Sequence, residues 1–114
     1  MKKDSNIVQL MNGEPHVSHR IIAKHTGNKE VSLRNLINKH IDKFELFGVP
    51  HFENESVSEE KLKDNPDTKP KKTYFLNEPQ ATLLLTFMRN NEIVINFKVR
   101  LVDEFFLIQK HQLS

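Results

Sequence analysis

The stretch that decides the fold is Ser18–His40, SHRIIAKHTGNKEVSLRNLINKH. Within it, the pattern A-x3-G-x5-L-x2-L is formed by Ala23, Gly27, Leu33 and Leu36. A small residue lets one helix cross another closely, and glycine accepts the positive φ that a turn between helices often requires. The two leucines give the second helix an inward side. The pattern predicts a helix-turn-helix, whose second helix commonly enters the DNA major groove, with an ordinary helical hairpin as the alternative.

Sequence on either side of this helix pair predicts β-strands. Apolar anchors bounded by Gly and Pro are typical of short strands. The segment 56–70, SVSEEKLKDNPDTKP, is polar and acidic with two prolines, and predicts a loop. The predicted elements are a strand at 6–12 that Gly13–Pro15 ends, helices at about 19–26 and from Lys29 or Glu30 to Phe44, and strands at 47–55 and 72–77. The expected fold class is α+β: a winged helix-turn-helix, whose wing is the β-hairpin of residues 49–77, with two C-terminal helices.

The last third of the chain predicts those two helices. Asn77 suits the N-cap of a helix over 78–89, and Pro79 is tolerated in its first turn. A final helix over 92–112 spreads apolar residues over an arc of roughly 200°, wider than the ~100° of a one-sided surface helix. We therefore expect a DNA-binding region at 1–77 and a helical pair for dimerisation at 78–114. The expected dimer contacts are Val94, Ile95, Leu101, Val102, Phe105 and Phe106.

Composition is that of a globular protein. Hydrophobic residues make up 37% of the 114 residues and charged residues 28%, and the absence of cysteine excludes disulfides and thiolate metal sites. No run approaches the ~20 apolar residues of a membrane span, and the N-terminus MKKDSNIVQL has no signal-peptide core. We expect a cytoplasmic protein without a membrane partner.

The net charge of +2 is unevenly distributed. Residues 1–50 carry +3, residues 51–68 carry −4, residues 69–73 carry +3, and the remainder is balanced. Basic charge therefore accompanies the helix pair and the short run KPKK. Such runs are often solvated loops, but behind a helix-turn-helix they are positioned to contact phosphates.

The outward side of the second helix supplies candidate DNA contacts. Arginine can bind guanine and asparagine can bind adenine with two hydrogen bonds each, while lysine suits phosphate. The same residue types also occur on any solvated helix face. The candidates are Lys29, Val31, Arg34, Asn35, Asn38 and Lys39 on the helix and Lys69, Lys71 and Lys72 on the wing.

The sequence gives little support for metal binding or catalysis. The six histidines have no metal-ligand spacing, so we expect surface and capping roles for them and no metal. The chain has no P-loop, no G-x-S-x-G and no cysteine nucleophile. Acidic neighbours such as Asp103 and Glu104 diverge on a helix and make a poor acid–base pair. We expect neither catalysis nor a cofactor, and we expect most of the aromatic residues in the core.

The stretch Leu76–Phe106, LNEPQATLLLTFMRNNEIVINFKVRLVDEFF, resembles the Rha family of phage regulatory proteins. That family shows a pattern close to L-N-E-x-Q-A-T-L-L-L-T-x-x-R-N followed by V-x-x-F-K-x-x-L-V-x-x-F-F. The N-terminal half is similar to the family's S-R-x-I-A-x-x-x-G and V-x-x-L-I-x-K-Y segments. Two positions depart from the family pattern: Glu30 stands where it has histidine, and His40 where it has tyrosine. An acidic residue at the start of the second helix would repel a phosphate.

The resemblance implies a phage- or prophage-encoded regulatory protein acting in the bacterial host cytoplasm. With the residue patterns, it leads us to expect a sequence-specific, double-stranded DNA-binding transcriptional regulator that forms a homodimer. The alternative is a phage protein that binds and inhibits a host regulator or defence nuclease. In that case the acidic loop at 53–67 would imitate nucleic acid.

Overall fold

The computed structural model of the chain describes residues 7–113, and the side chains of residues 7–108. It is a mixed α+β structure with a four-stranded antiparallel sheet in the order β1-β2-β4-β3. Six α-helices lie around this sheet in the described part of the chain. The elements are β1 (Gln9–Met11), β2 (Glu14–Ser18), α1 (His19–Thr26), α2 (Glu30–Lys39), α3 (Ile41–Phe44), β3 (His51–Asn54), α4 (Glu59–Asp64), β4 (Lys72–Leu76), α5 (Glu78–Thr86) and α6 (Glu92–Leu113).

The first two strands form a hairpin that the sequence interpretation missed. Asn12 and Gly13 have φ values of 54° and 79°, as a tight primed turn between paired strands requires. The chain therefore turns at Gly13 and continues as β2 through Glu14 and Pro15, where we had predicted the end of strand structure. The Asn-Gly pair is a recognised hairpin signal and was available in the sequence.

The helix pair forms as predicted at its start and its turn. The Ser18 hydroxyl accepts a hydrogen bond from the Ile21 N–H at 3.1 Å and caps α1. Gly27 ends α1 in the left-handed conformation, with φ of 74°. The second helix is shorter than predicted, because the backbone leaves helical geometry at His40 and resumes as the short helix α3.

The β3–β4 hairpin is confirmed with a defined register. His51 faces Phe75, and Asn54 faces Lys72 across the pair. The prediction that residues 56–70 form only a loop is wrong, since Ser58 caps the one-and-a-half-turn helix α4 there. The predicted strand at 47–55 is also shorter, because residues Glu45–Phe47 form a 3-10 turn and Gly48 has φ of 108°.

Helix α5 begins with a complete capping box. The Asn77 side chain accepts from the Gln80 N–H at 3.0 Å, and the Gln80 side chain accepts from the Asn77 N–H at 3.0 Å. The Gln80 amide also donates to the Gly48 carbonyl at 2.7 Å. Buried Gln80 therefore fixes the start of α5 to the turn that precedes β3.

One hydrophobic core contains residues from both sides of position 77. Val17, Leu33 and Phe44 share it with Leu84 and Phe105. Val94, Leu101 and Phe105 were predicted to contact a second subunit, but each is at most 2% exposed and packs within its own chain. In this structure these three side chains are therefore not on the surface, and the dimer contact stays a prediction for the exposed Ile95, Val102 and Phe106. Within residues 7–113, no helix has the length and apolar character needed to cross a membrane.

Candidate nucleic-acid interface

Helix α2 lies across α1 with one side in the core. Leu33 and Ile37 are buried on that side, and Ala23 of α1 is buried beneath the crossing. The opposite side of α2 presents Val31 and Asn35 to solvent, together with Ser32, Asn38 and Lys39. The fold thus exposes most of the predicted base-reading residues on one continuous surface.

The side of α2 next to the β3–β4 hairpin is joined to it by polar and aromatic contacts. The Tyr74 hydroxyl donates to Asn38 Oδ1 at 2.5 Å. Lys72 Nζ lies 4.2 Å from the centre of the Phe52 ring and 5.4 Å from that of Tyr74, within cation–π range. Phe52 and Tyr74 are cross-strand neighbours in the hairpin. The C-terminal end of α2 and Lys72 therefore belong to one surface.

This contact changes what Asn38 can do. Two hydrogen bonds to adenine need both the oxygen and the nitrogen of the amide, and here the oxygen is bound by Tyr74. That hydrogen bond fixes the orientation of the Asn38 amide and leaves its nitrogen as a donor without a partner among the described residues. On α2, Asn35 is exposed one turn earlier, and neither of its amide atoms has a hydrogen-bond partner among the described residues.

Glu30 is paired where we had expected a free acidic residue. Its Oε1 accepts from Arg20 Nε at 3.0 Å, and Arg20 Nη1 also donates to Glu55 at the end of β3. Arg20 thereby connects α1, α2 and the hairpin. The Glu30 charge is offset by a guanidinium at the start of α2. All three side chains are more than one-third exposed, so the pairing contributes orientation more than stability.

His19 is buried directly behind this surface, contrary to the expected surface or capping role. Its Nδ1 accepts a hydrogen bond from the Tyr74 N–H at 3.1 Å, so the ring carries its proton on Nε2. Nε2 is fully buried and has no hydrogen-bond partner among the described residues. Burial, and after it the nearby positive charge of Arg34, lower the pKa of His19 from 6.5 to about 4. His19 is therefore neutral at pH 7.

Arg34 lies on the edge of α2 between the exposed side and His19. It is half-buried, and no side chain within residues 7–108 accepts a hydrogen bond from its guanidinium. An arginine held at the rim of a surface with free donors is suited to bind a phosphate or a base edge. It remains the strongest of the predicted contact residues.

The remaining candidate lysines are exposed at the margins. Lys29 precedes α2 and gives it no side-chain cap. Lys69 and Lys71 lie in the segment before β4, with no hydrogen bond or ion pair to α2 in the described part of the chain. Of the three predicted wing lysines, only Lys72 is brought to the aromatic pair beside α2.

Three other histidines contact aromatic rings. His25 lies on Phe97 with ring centres 5.3 Å apart, and His40 on Phe87 at 4.8 Å. His51 packs at a tilt against Phe75. Among the residues searched, no group of three or more His, Asp or Glu side chains is arranged to hold a metal ion.

Sequence reasoning missed four residues at or directly behind this surface: Arg20, Phe52 and the buried Tyr74 and His19. Arg20 and Glu30 are ten residues apart across the predicted turn, so a pairing between them was foreseeable once the helix pair was placed. The role of Tyr74 required the strand register, which the sequence does not give.

Comparison with known families now adds to this geometry. The family model for phage regulatory protein Rha matches residues 17–110. The chain belongs to the Rha family. The matched range begins in β2 and includes both helices of the pair, the hairpin, α5 and most of α6. Searches of curated proteins and of solved structures return no significant match.

Proposed function

We propose that this Rha family member is a winged helix-turn-helix regulator that binds double-stranded DNA in its bacterial host. The order strand, two helices and hairpin, with β4 between β2 and β3, supports that interpretation of the fold. The observation that carries the proposal is the polar outward side of α2, which the buried Tyr74 links to Lys72 of the hairpin through its contacts with Asn38 and the Lys72 ammonium. As proposed, the protein acts by binding and has no catalytic activity of its own.

In this proposal α2 enters the major groove. Arg34 and Asn35 contact base edges, and Val31 gives an apolar contact suited to a thymine methyl group. Lys29 and Lys39 bind phosphates at the two ends of the helix. Lys69, Lys71 and Lys72 of the hairpin bind phosphates beside it, which fixes the register without reading sequence.

The arrangement assigns a supporting role to the buried and paired residues. Arg20 offsets Glu30 and so lowers the repulsion between the start of α2 and a phosphate. Tyr74 holds Asn38 and lies beside Lys72, which keeps helix and hairpin at a fixed spacing before DNA binds. Such preorganisation reduces the ordering cost of association.

Fluorescence anisotropy with the full chain and random duplex DNA tests the proposal. We expect binding at ~50 mM salt that weakens 10-fold or more at ~200 mM, because several phosphates release counterions. Absence of binding at ~10 μM protein in low salt would contradict the proposal, because non-specific DNA binding is strong enough at low salt to be detected at that protein concentration. Selection from a random library then identifies the preferred site.

A second candidate function is inhibition of a host protein. It is favoured by α4, which carries Glu59 and Glu60 exposed in the loop of the hairpin, within the segment of net charge −4. The negative charge of α4 resembles that of nucleic acid. It would attract the basic binding surface of a host protein that itself binds nucleic acid. Capture of one stoichiometric host protein, lost in a Glu59→Lys/Glu60→Lys variant while DNA binding is absent, would favour this function.

A further inference from the structure

Helix α6 has a second apolar side that the core does not use. Val94, Phe97, Leu101 and Phe105 are buried against the rest of the chain. Four apolar residues lie on the outward side, and we call them the outer seam: Ile95, Val99, Val102 and Phe106. Their side chains are 47%, 66%, 59% and 60% exposed, in that order. Ile93 and Leu107 of the same helix are exposed as well, at 61% and 44%, but lie outside this regular spacing.

The spacing of the outer seam is that of a coiled coil. Successive members are separated by four, three and four residues, which places them at alternating d and a positions of a heptad repeat. The described backbone of α6 is helical over 22 residues, or about 33 Å. A regular apolar seam on a long helix fits a second helix with the same repeat, which a second copy of the chain supplies.

Charges beside the seam indicate the direction of that second helix. In this heptad register Lys98 occupies a g position and Asp103 an e position. In a parallel pair, a g residue faces the e residue five positions later on the partner helix. Lys98 therefore faces the partner's Asp103. By the two-fold symmetry, Asp103 faces the partner's Lys98, so that the interface contains two such ion pairs. An antiparallel pair places g beside g and e beside e, and loses both ion pairs.

Neither charge has an opposite charge as partner among the described residues. Lys98 Nζ donates to the neutral Asn90 side chain at 2.6 Å, and Asp103 is exposed without an ion pair among the described residues. The neighbouring Arg100 and Glu104 already bind each other at 3.0 Å along the helix. In a parallel dimer, Lys98 and Asp103 would each form an ion pair with the partner helix.

We propose that the chain forms a two-fold dimer through a parallel, in-register α6–α6 coiled coil along the outer seam. Four seam residues and their flanks on each copy bury roughly 1,000 Å² in total, near the lower limit for a specific interface. We therefore expect a weak, reversible dimer, as interfaces near this limit commonly are. It forms without DNA, so its test is separate from that of the proposed function.

Sedimentation velocity over ~1 to ~200 μM protein measures the oligomer. We expect a concentration-dependent monomer–dimer equilibrium that Val102→Asp weakens by 100-fold or more. The control is Val31→Asp on α2, where a valine of similar exposure is replaced by the same charge. A monomer throughout this range, or equal effects of the two substitutions, would overturn the proposal.

Single cysteines determine the direction of the helices, because the native chain contains none. In a parallel pair the two copies of Ile95 meet, so Ile95→Cys forms a disulfide-linked dimer under mild oxidation. In an antiparallel pair the same residues are separated by about 16 Å along the axis and do not link. Val31→Cys controls for random collision, and a level of linkage equal to that control would rule out the parallel arrangement.

A charge exchange tests the flanking pair. Asp103→Lys places like charges across the interface and is expected to weaken the dimer about 10-fold. Adding Lys98→Glu restores opposite charges and the original affinity. Failure of the double variant to recover, in a chain that remains folded by circular dichroism, would contradict the proposed register.

Discussion

Helices α2 and α6 both pack one side into the same core, yet their outward sides differ in kind. The outward side of α2 carries Asn35, Asn38 and Lys39, whereas that of α6 carries the outer seam. A polar face with amide and basic donors gains little by contacting another protein's apolar surface. An exposed apolar seam of regular spacing gains most from burial against a matching helix.

The outward residues of the two helices therefore offer different chemistry to a partner, although one core holds both helices. The core fixes both helices, since Leu33 of α2 and Leu101 of α6 belong to the same cluster. What each helix can bind is then decided by the residues facing away from that core. The proposals of a DNA surface on α2 and a dimer surface on α6 rest on this contrast, and four predictions test it.

The largest effect is expected from two adjacent phenylalanines on α6. Phe105 is 1% exposed and Phe106 is 60% exposed. Phe105→Ala should lower the free energy of unfolding by about 3–5 kcal/mol, because it leaves a cavity in the core. Phe106→Ala should change the monomer's stability by less than about 0.5 kcal/mol. Urea unfolding at a protein concentration below the dimerisation range measures the free energy of unfolding of both variants. Similar losses would contradict the assignment of Phe105 to the buried side of α6 and of Phe106 to its exposed side.

A second prediction concerns the buried histidine behind α2. His19 has a pKa of about 4 in the folded protein against 6.5 for an exposed histidine, so the unfolded chain takes up the proton first as the pH falls. Its contribution to stability is complete above pH 6.5 and decreases between about pH 6.5 and 4. The loss is at most on the order of 3 kcal/mol.

Urea unfolding at several pH values checks this, with His19→Phe as the variant. That variant leaves the Tyr74 N–H without its acceptor and is expected to be less stable at pH 7. Its stability should nevertheless fall less steeply from pH 6.5 to 4. His16→Phe, at a half-buried histidine of β2, controls for the loss of an imidazole. Identical pH slopes for wild type and His19→Phe would contradict the assignment.

A third prediction sharpens the DNA side of the comparison. Arg34→Ala should weaken binding to a selected duplex by about 1–3 kcal/mol if the guanidinium contacts a base. Arg89→Ala removes an equal charge from an exposed position between α5 and α6 and should change affinity little. Anisotropy titrations of both variants measure this. Equal losses would indicate a general charge effect and remove Arg34 from the interface.

The smallest effect is expected at Glu30. Glu30→Gln removes one charge of a solvent-exposed ion pair and should change the free energy of unfolding by less than about 1 kcal/mol. DNA affinity should rise slightly, because the Arg20 charge is no longer offset beside the start of α2. A decrease in affinity would show that Arg20 orientation matters more than net charge. The same anisotropy and urea assays provide both values.

Much of the fold was predictable where local sequence decides it. Ser18, Gly27 and Asn77 begin or end helices at the predicted positions, because caps and left-handed turns depend on neighbouring residues. The β3–β4 hairpin and the second apolar side of α6 were also predicted. The missed β1–β2 hairpin had a local signal in Asn12-Gly13, so that omission reflects interpretation more than missing information.

The candidate site was less predictable. Helical spacing in the sequence was enough to predict that α2 is a helix and which of its residues face outward. It was not enough to predict which other residues the α2 side chains contact. Asn38 bonds with Tyr74 at a separation of 36 residues, and Arg20 reaches Glu55 across 35. Such contacts depend on strand register and on where the hairpin returns, which local propensity does not specify.

The sequence by itself determined the family, the helix boundaries marked by caps and the presence of two apolar sides on the last helix. Those features are set by residues close in the chain or by spacing along one helix. Only the tertiary structure decided that Val94, Leu101 and Phe105 belong to the core while Ile95, Val102 and Phe106 remain outside. The physical reason is that both sides are equally apolar, and only packing against α1, β2 and α5 selects which one is buried.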